Sequence, residues 1–293
     1  MTLTQSHHQH VAVIGAGAWG TALAAAACSQ RAVILWARNP DQIEQMGRTH
    51  HNLRYLPDIE LPASLTYTAR LEVAVEFATT GASPGLIILG VPLAGLRSAC
   101  LAIADILTRL GKPVVGVLWT CKGLEADTGK LPSEIAKEAL SAMPQLATGV
   151  LSGPSFAREV AQGLPVALTI ASSSAPLRDA TIEAFHGGTI RVYASPDVVG
   201  VEVGGALKNI MAIACGIGDG LGLGTNARAA IIPAVLQRLA ALERRWVPSL
   251  QLFQVWPDSV IWCSLQRETC HETDRLAWRS VAANRLKTCS HRG

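Results

Sequence analysis

The stretch that most limits what this chain can become runs from Val11 to Leu23, reading Val-Ala-Val-Ile-Gly-Ala-Gly-Ala-Trp-Gly-Thr-Ala-Leu. Four apolar residues make a short buried strand, and Gly15, Gly17 and Gly20 follow at the Gly-x-Gly-x-x-Gly spacing that turns a strand tightly into a helix. The three glycines serve different ends, since one makes the turn, one lets the backbone approach a pyrophosphate, and one lets helix pack on strand. Alone the triplet is a weak signal. A strand before it and an Ala-rich helix after it favour a dinucleotide site over a plain glycine turn.

Ala32 to Trp36 reads as a second strand ending at Ala37-Arg38-Asn39. An acidic residue at this strand end would hold ribose hydroxyls, whereas Arg38 suits a 2′-phosphate, so NADPH is expected ahead of NADH, the alternative being a solvated surface arginine. Asn52 to Pro57 reads as a polar loop containing Tyr55. Leu86 to Val91, closed by Pro92, and Val114 to Thr120 are further apolar strands, each with a plausible helix behind it, which is the order of a doubly wound parallel sheet. Ligands bind such sheets at the carboxyl ends of the strands, where Arg38, Pro92 and Lys122 all fall. Lys122, in Lys122-Gly123-Leu124-Glu125, is either a cation facing a phosphate or carbonyl or an exposed loop lysine. Gly153-Pro154-Ser155-Phe156-Ala157 follows a short apolar strand from Thr148 to Leu151 and by itself is a tight turn.

Val198 to Gly218 reads as a buried helix. From Val203 on, its only polar side chains are Lys208 and Asn209. A lysine there is costly to desolvate, which argues for a role and a depressed pKa; the alternative is that it snorkels to an edge. A net charge of +3 is too small and dispersed for nucleic acid. No run of 18 apolar residues is free of glycine, so no membrane span is expected. Leu23 to Cys28 looks like a lipoprotein cleavage box but lacks a preceding basic residue, and helix is expected instead. Seven cysteines, with no secretory signal and no metal-ligand spacing, point to a reducing cytoplasm and no metal site, with Cys28, Cys100 and Cys215 as small core residues.

Taken together, these segments resemble the bacterial NAD(P)-dependent glycerol-3-phosphate dehydrogenases. The resemblance covers Val11 to about Ile232. It rests on the glycine loop with Trp19, on Trp36-Ala37-Arg38, on Asn52 with Tyr55-Leu56-Pro57, on Lys122-Gly123-Leu124-Glu125 and on Gly153 to Ala157 with Glu159. Gly200 to Asn209, Asp219-Gly220 and Gly224 to Ala230 continue it. It implies a Rossmann-like α/β domain over residues 1–197, with a helical substrate domain beginning at 198–232. The implied reaction is hydride transfer between NADPH (or NADH) and dihydroxyacetone phosphate, giving sn-glycerol 3-phosphate for phospholipid synthesis. Lys208 is implied as the acid/base and Lys122 as its aid at the carbonyl. Gly15, Gly17, Trp19, Gly20, Arg38, Tyr55, Lys122 and Ala157 are implied to meet the cofactor, and Lys122, Gly153, Ser155, Lys208 and Asn209 the substrate. A homodimer is compatible with the resemblance. The 3-hydroxyacid and 6-phosphogluconate dehydrogenases share the glycine loop and a Lys-Asn pair, but not the Gly-Pro-Ser-Phe-Ala turn or the Lys-Gly-Leu-Glu loop.

From Pro233 on, these motifs cease. The last 61 residues hold four of the seven tryptophans, three of the seven cysteines, and eight arginines to one lysine. Phe253 to Trp262, back-translated and read one base earlier, permits Ser-Gly-Leu-Ala-Gly-Phe-Gly-Asp-Leu; Trp256, with its single codon, forces the Ala before Pro257. Trp262 to Asp274 permits Val-Leu-Thr-Ala-Thr-Gly-Asp-Leu-Ser-Arg-Asn-Arg. Both are motifs of the resembled family, whose Asp, Arg and Asn serve the reaction centre and the substrate phosphate. The expectation is a one-base frameshift near Ile232, an out-of-frame tail over 233–293, a disrupted all-α C-terminal domain, and a chain of little activity that aggregates. A catalytically dead dinucleotide-binding protein is the alternative.

Overall fold

The computed structural model describes residues 9–80, 83–231 and 234. Their main strands and α-helices follow one another along the chain. They are β1 (Val11–Ile14), α1 (Ala18–Ala27), β2 (Val33–Trp36), α2 (Pro40–Thr49), β3 (His51–Asn52), β4 (Leu56–Glu60), β5 (Thr66–Thr68), α3 (Leu71–Thr79) and β6 (Leu86–Leu89). Then come α4 (Leu96–Leu110), β7 (Gly116–Trp119), α5 (Pro132–Ala139), β8 (Thr148–Ser152), α6 (Ala157–Ala161), β9 (Val166–Ala171), α7 (Ala175–Phe185), β10 (Ile190–Ser195) and α8 (Val198–Gly220). The chain divides into two compact units, Met1–Glu202 and Val203–Gly293, so that α8 begins in the first and continues into the second.

Eight strands form one sheet in the order β10-β9-β8-β7-β6-β1-β2-β5. β1, β6 and β7 are buried along their whole length. Strands covered on both faces can be apolar at every position, which is why Val-Ala-Val-Ile and Leu-Ile-Ile-Leu do not alternate. β1 pairs in parallel with β2 on one side and β6 on the other. The strand order reverses there, which makes the carboxyl ends of β1 and β6 the usual ligand position of such a sheet. The parallel expectation holds for every pairing in the sheet but one: β8 and β9 run antiparallel.

Asn52 to Pro57 is not the loop expected of it. β3 and β4 form a small antiparallel hairpin, with Asn52 opposite Leu56 and the turn between them. Leu56 and Ile59 turn into the core while Pro57, Asp58 and Glu60 face outward, so the polar half of the hairpin masked the apolar half. Helix ends follow local chemistry: the Asn39 side chain accepts from the Asp41 N–H at 2.9 Å with Pro40 just inside α2, and Ser174 caps α7 through the Leu177 N–H.

Candidate active site

The glycine loop has the geometry its spacing requires. Gly15 sits at φ +120°, and a Cβ there would lie 2.5 Å from the Gly90 carbonyl oxygen after β6. A Cβ on Gly20 would lie 1.9 Å from the Gly15 oxygen, so only glycine lets α1 come this close to the strand end. Gly17 differs, for a Cβ there would meet nothing within 4 Å. It is the N-cap of α1, offers no side-chain cap, and no acidic residue occupies the first turn. No side-chain cap therefore takes the first N–H groups of α1, and a helix start of that kind suits a dinucleotide pyrophosphate.

A cavity of about 260 Å³ opens beside this turn, lined by Trp19, Lys122, Gly153, Ser155 and Ala157 together with Thr120, Ser152 and Phe156. Five side chains or backbone positions singled out in the sequence thus share one space. The Lys122 ammonium donates to the Gly153 carbonyl at 3.1 Å, tying the loop after β7 to the turn after β8. A Cβ on Gly153 would lie 2.5 Å from the Ala167 oxygen on β9, so that turn is pressed against the sheet. Ser152 is buried and its hydroxyl has no hydrogen-bond partner among the described residues. A cation, a hydroxyl and free backbone groups in one apolar recess suit a small phosphorylated carbonyl compound.

The remaining expected positions spread out from there. Arg38 is exposed just past β2, at the strand end where a 2′-phosphate would be read. Tyr55 is 42% exposed, with the Arg54 guanidinium 5.3 Å from its ring centroid. α8 is not buried all round as its composition led us to expect. Met211, Ala212 and Cys215 are buried, but Ile210, Ile213 and Ile217 are about half exposed. Hydropathy reports what a residue prefers, not whether a neighbour is there to cover it. Lys208 is accordingly half-buried and is not in a fully desolvated setting, and the Asn209 side chain lies outside the described residues, as does the tail from 235. Cys100 and Cys215 are buried core residues, whereas Cys28 is only half-buried. α8 is long and apolar enough to cross a membrane by length and composition alone, a property core helices share. No cluster of metal-ligating side chains occurs among the described residues.

A family model for the N-terminus of NAD-dependent glycerol-3-phosphate dehydrogenase matches residues 10–177, and one for the C-terminus of the same enzymes matches residues 197–254. The chain belongs to the NAD-dependent glycerol-3-phosphate dehydrogenase family. The second match passes Pro233, beyond the last motif of the resemblance. Among solved structures, glycerol-3-phosphate dehydrogenase from Coxiella burnetii is 32% identical, with a TM-score of 0.78 over 93% of this chain and 79% of that one. The enzymes of Plasmodium falciparum (21% identity, TM-score 0.77, 93% and 75% covered) and Saccharomyces cerevisiae (24%, 0.72, 93% and 80%) share the fold.

Two features of this glycerol-3-phosphate dehydrogenase family member escaped the sequence reading. Glu202, near the start of α8, is 4% exposed and accepts from the Trp119 indole N–H at 2.8 Å, with its other oxygen 2.5 Å from the Ser133 hydroxyl. Burial pushes its carboxyl up to about 7, against the pull of the Ser133 and Trp119 hydrogen bonds. A lone Glu in an apolar helix was the available signal. Arg97, on α4, grips both oxygens of Glu125 at 3.1 and 2.8 Å and also reaches Glu138 at 2.9 Å. Hydrogen bonds from Arg97 and Thr128 hold the Glu125 carboxyl down at about 2, so the Lys-Gly-Leu-Glu loop is fastened at its far end while Lys122 holds its near end. Cys121, beside Lys122, has its thiol pushed up to about 12 by burial and stays neutral.

Proposed function

We propose that the cavity beside Lys122 is where dihydroxyacetone phosphate and sn-glycerol 3-phosphate are interconverted, with NADPH preferred over NADH. The observation that carries this is the meeting of Trp19, Lys122, Gly153, Ser155 and Ala157 around one recess next to the uncapped N-terminus of α1. When bound, the reduced nicotinamide supplies the hydride for carbon 2 of the ketone. Gly153 and Ser155 hold the substrate, Trp19 and Ala157 border the cofactor, and Arg38 reads its 2′-phosphate with Tyr55 near the adenosine. Lys122 places positive charge by the carbonyl, where oxygen charge builds up. Lys208, through its place in the Gly200 to Asn209 motif, gives the alkoxide its proton. Asn209 contacts substrate beside it.

The substrate half is completed, in this reading, by the motifs that the tail permits in the shifted frame. Residues 198–232 then open the helical substrate domain, and 233–293, although the C-terminal family model runs on to residue 254, are read as out-of-frame translation. The protein works in the cytoplasm, on precursors of phospholipid, and dimerisation is read by sizing. Reading the coding DNA across the Asn226 to Pro233 region, and expressing both the present chain and one with the frame restored, tests the proposal. The restored chain is expected to oxidise NADPH with dihydroxyacetone phosphate and the present chain to bind NADPH without turnover. Lys122→Ala and Lys208→Ala in the restored chain should each lower kcat by about 10²- to 10⁴-fold. Full activity of the present chain would overturn the frameshift. Activity of the restored chain on 3-hydroxyacids in place of the phosphorylated ketone would overturn the substrate.

A further inference from the structure

Ala16 stands between Gly15 and Gly17, and its carbonyl oxygen is held from two sides. Asn52 Nδ2, from β3, donates to it at 3.0 Å, and Gln42 Nε2, from α2, donates at 2.9 Å. Asn52 is 1% exposed, and the same Nδ2 also donates to the Thr21 hydroxyl oxygen at 2.8 Å, so both its amide protons are committed. A carbonyl oxygen has two lone pairs, and both are used here. Nothing in the local turn demands this, because the donors come from elements outside the β1–α1 pair and lie 26 and 36 residues along the chain.

A peptide unit is planar and trans, so its C=O and the following N–H point in opposite directions. Fixing the Ala16 oxygen toward α2 and β3 therefore turns the Gly17 N–H away from them. A Cβ on Gly17 would meet nothing within 4 Å, so the loop has room on its outer side. A glycine-flanked peptide is otherwise free to rotate, and a rotated one would present an oxygen to an anion in place of a donor.

We propose that Asn52 and Gln42 are positioning residues that set the Ala16–Gly17 peptide for the cofactor pyrophosphate. The proposal rests on the reading that the glycine loop holds that pyrophosphate. Asn52 is thereby a requirement for an amide donor: an aspartate of the same shape has no proton to give and faces the Ala16 oxygen with like charge.

NADPH affinity and phosphorus NMR of bound NADPH, measured on the full chain, test it, since the pyrophosphate and 2′-phosphate resonances report separately. Gln42→Ala should weaken NADPH by about threefold and Asn52→Asp by about tenfold or more. In both, the bound pyrophosphate resonances should move toward their free positions while the 2′-phosphate resonance stays in place. Thermal melts identify any variant that no longer folds, and Gln42→Ala, at a half-buried helical position, then carries the test alone. Unchanged pyrophosphate resonances in a folded Gln42→Ala, or equal displacement of all three phosphates, overturns the positioning role. Wild-type protein that leaves the pyrophosphate resonances unmoved overturns the reading of the loop itself.

Discussion

Single atoms separate the three glycines of the loop, although their spacing makes them look equivalent. Gly20→Ala drives a Cβ to 1.9 Å from a backbone oxygen, which cannot swing aside. We expect a loss of about 1–3 kcal/mol or more, read as a lower midpoint in thermal or urea unfolding. Gly17→Ala meets no protein atom, and its φ of −74° suits any residue. It should unfold within about 1 kcal/mol of the parent and yet bind NADPH poorly, because the methyl group occupies the face a pyrophosphate approaches. Comparing the two variants by melting and by cofactor titration separates a packing glycine from a binding one. The motif was legible because its chemistry is local. The part played by Asn52 was not, since its partner Ala16 is distant in sequence and Asn52 to Pro57 read as a polar loop.

Elements were legible where burial left no choice. β1, β6 and β7 are apolar at every position because helices cover both faces of the sheet, and Leu86–Leu89 could be placed from that fact alone. The β3–β4 hairpin was hidden by its outward polar side, and α8 was judged from hydropathy that holds no information about its neighbours. Glu202 gives α8 a dependence on pH. Its carboxyl is raised from 4.5 to about 7 in the folded chain, so the folded state binds more proton than the unfolded one between those values. Stability from this group is fully present below about pH 4.5 and is lost as pH rises through about 7, by up to about 3 kcal/mol. Glu202→Gln keeps an oxygen that accepts from Trp119, and its NH2 can donate to the Ser133 hydroxyl once that hydroxyl turns from donor to acceptor. It should melt higher than the parent at pH 8, no higher at pH 4.5, and show a flatter stability profile between them. Equal shifts at both pH values would sink this account.

At the scale of the whole molecule, Ile210, Ile213 and Ile217 recur along α8 at helical spacing, and Leu221 and Leu223 beyond them are also exposed. An apolar stripe of this kind promotes association. Static light scattering against concentration should show net attraction, and Ile213→Gln with Ile217→Gln should reduce it without altering NADPH affinity. An unchanged slope would mean that the stripe does not govern association.

The cavity beside Lys122 is walled by residues from Ala18 to Ala157, and all of them leave the ribosome before the Lys208 helix does. Domains tend to fold in that order during synthesis. A reading error after codon 232 would come too late to prevent the recess from forming. The cell would then be left not with a missing protein but with a holder of reduced dinucleotide that has no means of discharging it.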